Sequence, residues 1–112
     1  MKYIIPENKL DNIVFRYLDN ILKGLEKRKP KYYDGIVFAF PEKEYGMLGI
    51  DNYGTLYLLW ELLDEISNGF SLSYSDSESV IGRWAEDRLN LEVDNVTCDR
   101  KIIHSGLGVN TN

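Results

Sequence analysis

An apolar stripe in the first quarter of the chain sets the strongest constraint on its fold. Leu10, Ile13, Val14, Tyr17, Leu18, Ile21, Leu22 and Leu25 recur at steps of three and four, which places them on one face of an α-helix. Pro6 and Glu7 suit a first helical turn. Lys27, Arg28 and Lys29 suit a last one, where cations complement the negative end of the helix dipole, and Pro30 ends it. The pattern predicts a helix over about 7–28, with Phe15 off the main stripe and Asp11, Arg16, Asp19, Lys23 and Glu26 facing water. An apolar face of that length requires a sheet or another helix to cover it.

The cover follows directly. Asp34-Gly35 leads into Ile36-Val37-Phe38-Ala39-Phe40, a β-branched and aromatic run closed by Pro41, which reads as a strand buried on both faces. Tyr45 to Ile50 reads as a second strand, weakened by Gly46 and Gly49. Asp51-Asn52-Tyr53-Gly54 reads as a hairpin turn with Gly54 free to take positive φ, and Thr55 to Leu59 as the return strand of a three-stranded meander. The period then changes: Leu59, Leu62, Leu63 and Ile66 fit a helix stopped by Asn68-Gly69. Ser75-Asp76-Ser77-Glu78 has the form of a capping box, opening a helix to about Leu89 with Val80, Ile81, Trp84 and Ala85 inward. Leu89, Leu91 and Val93 alternate with polar residues, which places a fourth strand near 90–97. The expected fold is α+β: a long N-terminal helix packed on a small, mainly antiparallel sheet, with two further helices. One domain spans 1–98, and 99–112 forms a C-terminal tail that orders only by docking on the body or a neighbour.

A chain of 112 residues matches the size of one hydrophobic core. Its 44% hydrophobic and 28% charged residues exclude disordered and collagen-like classes. The longest apolar run, Leu56 to Trp60, is far below a membrane span. Pro6 interrupts the N-terminal apolar stretch too early for a secretion signal, and Cys98 is the single cysteine, so a reducing, cytoplasmic setting is expected. On that expectation the sequon Asn95-Val96-Thr97 is a chance match.

Residues that carry chemistry are scarce. Cys98 and His104 are the lone cysteine and histidine, too few for a zinc site. Gly106-Leu107-Gly108 precedes no helix whose amides would hold a phosphate. Tyrosine at the third place of Asp51-Asn52-Tyr53-Gly54 removes a calcium-loop reading. The pairs Asp64-Glu65 and Glu86-Asp87 fall on solvated helix faces, which do not separate two carboxyl pKa values as acid–base catalysis requires. No catalytic residue, metal ligand or cofactor is expected, and the chain reads as a non-enzyme.

Surface features point instead to contacts. The net charge of −5 divides into +4 over residues 1–33 and −9 over 34–112. The basic corner Lys27, Arg28, Lys29 and Lys31 either satisfies the end of the first helix or meets an acidic partner, a second copy included. The acidic remainder repels phosphate within a Debye length, which disfavours nucleic acid. Eight tyrosines, with Tyr53 and Tyr57 near the hairpin, offer contact area at low entropy cost. Arg83, Trp84 and Arg88 are residue types enriched at binding hot spots, or Trp84 fills the core against the first helix while the charged residues pair on the surface. The leading reading is a soluble protein acting through protein–protein contact, self-association included. The alternative is a small-ligand protein or minimal enzyme with a Tyr/Trp pocket between the first helix and the sheet and Arg83 or Arg88 as anion anchor, and a third is a virion or assembly component.

In the stretches Glu26 to Pro41 and Ile81 to Arg88, and in its short, acidic, tyrosine-rich character, the chain resembles small accessory proteins of tailed bacteriophages. The resemblance implies an accessory or host-interaction role in the host cytoplasm, such as binding and inhibiting a host or defence protein. It carries over no catalytic residue.

Overall fold

The apolar stripe does form the first helix, α1 (Ile5–Ile21), but the helix stops about two turns before the expected end. In a computed structural model that describes residues 5–30 and 34–98, with side chains from Lys9 onward, Leu22 N donates to Leu18 O at 2.9 Å as a last helical bond. Gly24 then takes φ +91°, a conformation that ends the α-helix and is open to glycine without a Cβ clash. Glu26–Arg28 leaves the helix and becomes an edge strand, β1. Lys27, Arg28 and Lys29 therefore do not cap a helix dipole, and the last turn of α1 holds no basic residue. Leu25 still packs on the core, so its place in the apolar pattern is real while its element is not the expected one.

The remaining elements are β2 (Gly35–Ala39), β3 (Leu48–Asp51), β4 (Thr55–Leu58), α2 (Trp60–Phe70), α3 (Tyr74–Arg88) and β5 (Asn95–Cys98). They build an α+β fold around one five-stranded mixed sheet in the order β1-β2-β3-β4-β5. The expected meander of β2, β3 and β4 is extended by antiparallel β1 at one edge. At the other edge β5 lies parallel to β4, because the chain crosses back through α2 and α3 before pairing Thr55 with Asn95. Five strands replace the three or four expected.

The three helices cover one face of the sheet. Val14 and Leu18 of α1, Leu62 and Ile66 of α2, and Val80, Ile81 and Trp84 of α3 meet Phe38, Leu48, Ile50, Leu56 and Leu58. Strand alternation sends Val37 and Ala39 to the opposite face, where Tyr45 packs on them. The run 36–40 is thus buried on both faces, as its unbroken apolarity predicts.

Two helix ends differ from expectation. α2 runs through Asn68-Gly69 to Phe70 and is ended by Ser71 in the left-handed region (φ 55°, ψ 46°), whose amide bonds to Ser67 O. α3 is capped by Ser73 rather than Ser75: Ser73 Oγ accepts from Asp76 N at 3.0 Å, and Ser77, fully buried, donates to Ser73 O at 2.8 Å. Ser73, in extended backbone directly before the first helical residue, supplies the cap, two residues before the capping-box pattern at Ser75. Among the described residues no helix is long and apolar enough to cross a membrane. The tail 99–112 and Lys31 lie outside the described residues.

Candidate interaction surface

Of the expected contact residues, Trp84 is buried on the inward side of α3, while Arg83 and Arg88 are exposed; all three knit α3 to α1. Trp84 is 3% exposed, and its Nε1 donates to Asp19 Oδ1 at 2.9 Å. Arg88 Nε donates to the same oxygen at 2.9 Å, while its guanidinium lies 5.3 Å from the Phe15 ring centre and pairs with Asp87. Arg83 grips both carboxylate oxygens of Asp11, at 2.8 and 3.1 Å. The Arg88 hydrogen bond, and secondarily the Trp84 indole, hold the Asp19 carboxyl below its ordinary value. The same pairing raises Arg88. Both arginines are ion-paired with carboxylates of α1, and among the described residues the inward side chains of α1 and those of the sheet belong to one core cluster.

Arg28 is also spent within the chain. Its Nη2 donates to Glu26 Oε2 at 2.9 Å and to the carbonyls of Phe40 and Pro41 at 3.1 Å each, and Nη1 donates to Lys43 O at 2.9 Å. It ties the β1 edge to the loop after β2. Lys27 and Lys29 remain exposed on that edge, where charged side chains also deter unwanted strand pairing.

The β3–β4 turn is built differently. Asp51 O accepts from Gly54 N at 3.2 Å, and Gly54 takes φ +86°, the arrangement of a type I turn closed by a left-handed residue. Asp51 Oδ1 accepts from Tyr53 N and Thr55 N at 2.9 and 3.0 Å. Its Oδ2 accepts from Tyr57 Oη at 2.9 Å, so Tyr57 braces the turn from within the sheet. Outside help comes from Asn52 N donating to Asp34 O at 3.1 Å and Asp94 N donating to Gly54 O at 2.8 Å. From this fixed support Tyr53 projects 84% exposed.

A further surface had no place among the expected contacts. Ile13, counted to the inward stripe, is 53% exposed beside the edge-to-face pair of Tyr17 and Phe70, whose centres are 5.5 Å apart. The signal was present: Ile13 sits at the margin of an eight-residue stripe wider than one helix needs to bury. Among the described residues no three histidine, cysteine or acidic side chains cluster to hold a metal ion. No protein-family model matches the chain, and comparison with curated proteins and with solved structures finds no match.

Proposed function

We propose that the chain is a protein-binding module whose contact point is the β3–β4 turn. The observation that carries this is Tyr53, a large aromatic side chain 84% exposed on a turn whose backbone is held by Asp51 from within and by Asp34 and Asp94 from either side. A preorganised aromatic anchor loses little entropy on binding, and tyrosine is among the residue types that dominate interface energetics. Asp34, Asp51 and Asp94 around the turn disfavour a base-stacking role, which is ordinarily accompanied by cations. The exposed Lys27 of β1 supplies a separate positive charge at the sheet edge to a contact that extends across the sheet. The kind of partner, a host or defence protein, follows from the resemblance to phage accessory proteins alone.

A photo-crosslinking residue at position 53, compared with one at exposed Asn68, tests the reading in the native host cell. The expected result is a protein adduct specific to position 53 and abolished when the unlabelled wild-type protein competes. An adduct of twice the chain mass identifies the partner as a second copy. Equal labelling from both positions would overturn the proposal.

A further inference from the structure

We propose that the outward face of α1 docks an acidic amphipathic helix of another protein. This surface is distinct from the Tyr53 turn and does not depend on it. Ile13, Tyr17 and Phe70 line an open groove of about 810 Å³ whose rim carries Arg16 and Lys23, large enough to seat apolar side chains of a partner. The Tyr17 hydroxyl donates to Glu65 of α2, which fixes the groove wall between the two helices.

The charge around this groove names the occupant. Lys9, Arg16 and Lys23 are all exposed; Lys9 and Arg16 lie on one side of α1 with about 10 Å of helix axis between them, and Lys23, in the turn directly after α1, lines the same groove as Arg16. None of the three makes an ion pair among the described residues, whereas Arg28, Arg83 and Arg88 are each paired within the chain. On a chain of net charge −5, uncompensated cations beside an apolar slot are complementary to carboxylates flanking an apolar ridge. A helix with acidic residues at seven-residue spacing presents that pattern in one register, and helix-in-groove docking is an established mode of recognition. Asp19, also on the groove wall, is ion-paired with Arg88, which lessens its opposition to such a partner. A symmetric pairing with a second copy is disfavoured, since an isologous contact would set these cations against themselves. Nucleic acid is disfavoured by the apolar slot and by the net negative charge of the chain.

The test uses the full chain, isotope-labelled, titrated with a synthetic 18-residue helical peptide carrying glutamates at seven-residue spacing around a leucine ridge. Controls are the same peptide with lysines for glutamates and a proline-interrupted version of the acidic peptide. The expected result is saturable binding of the acidic helix alone, with amide shifts centred on residues 13, 16, 17 and 70. Binding should weaken about tenfold or more in Arg16→Glu/Lys23→Glu, as like charges replace complementary ones, and also in Ile13→Ser. Both variants should keep the wild-type circular dichroism, and Tyr53→Ala should bind as wild type. Shifts elsewhere, equal binding by the charge-reversed variant, preference for a single-stranded oligonucleotide, or a concentration-dependent dimer lost in Ile13→Ser would each overturn the proposal. Failure here leaves the turn-based reading intact, because that reading is measured at position 53.

Discussion

Trp84 Nε1 and Asp19 Oδ1 lie 2.9 Å apart, and this bond joins the hydrophobic core to the charged seam between α1 and α3. The indole is 3% exposed, yet its one polar atom reaches the rim, where the carboxylate also receives Arg88. A buried tryptophan ordinarily finds a partner for its N–H. Here the partner sits 65 residues away in sequence, so the bond also fixes how the two helices cross.

Replacing Trp84 tests that double role. Trp84→Ala should cost about 3–5 kcal/mol through the cavity it leaves, a large part of the stability of an ordinary domain. Trp84→Phe keeps most of the volume and should cost much less, losing chiefly the hydrogen bond. Urea denaturation of the three proteins distinguishes these outcomes, and equal losses would mean that packing contributes little.

The pairing of Asp19 gives a pH dependence with a defined sign. Its carboxyl is held below the ordinary aspartate value of 3.8, first by Arg88 and then by Trp84. A depressed folded-state pKa contributes stability that is present above the unfolded value and is lost as pH falls through the folded one. The melting-temperature gap between wild type and Asp19→Asn should therefore be constant at neutral pH and close below about pH 4. Both Asp19 and Arg88 are 41% exposed, so the gap should be small and should shrink with added salt. A gap that widens in acid would contradict the assignment.

Much of this architecture is legible in residue patterns, and the failures have identifiable causes. Leu62, Leu63 and Ile66, and Val80, Ile81, Trp84 and Ala85, are buried where helical periodicity places them. Periodicity is blind at the end of α1, because Leu25 continues the stripe by chance of spacing while Gly24 has already turned the chain into β1. The site residues divide in the same way. Tyr53 is recognisable from its turn chemistry. Arg83 and Arg88 look like interface anchors by type, and only the fold shows that Asp11 and Asp19 already occupy them. Arg16 and Lys23 read correctly as solvent-facing, but their importance depends on Phe70 arriving beside Tyr17 from another helix.

The cap of α3 is decided by a pair of serine substitutions. Ser73→Ala removes the acceptor of Asp76 N and should cost about 0.5–2 kcal/mol. Ser75→Ala, at an exposed position inside the first turn, should fall within about 0.5 kcal/mol of wild type. Thermal denaturation of the two variants side by side gives the answer, and a larger loss at Ser75 would restore the cap to the position its local pattern suggests.

Gly54 and Gly24 share a conformation but not an environment, and substituting each by alanine separates strain from crowding. Both have positive φ, +86° and +91°, so each alanine should cost about 1–2 kcal/mol for the left-handed backbone. A Cβ at Gly24 meets nothing within 4 Å, whereas one at Gly54 would fall 2.8 Å from Asp94 Oδ2. Gly54→Ala should therefore be the more destabilising in urea denaturation, and Gly54→Ala/Asp94→Ala should recover toward the Gly24→Ala value. The same comparison reaches the proposed contact: Gly54 O accepts from Asp94 N at 2.8 Å, and a side chain that displaces Asp94 loosens the support of Tyr53. Crosslinking from position 53 should accordingly fall in Gly54→Ala and stay at the wild-type level in Gly24→Ala, although both proteins are strained. If crosslinking falls equally in the two, lost stability rather than the geometry of the turn governs the contact.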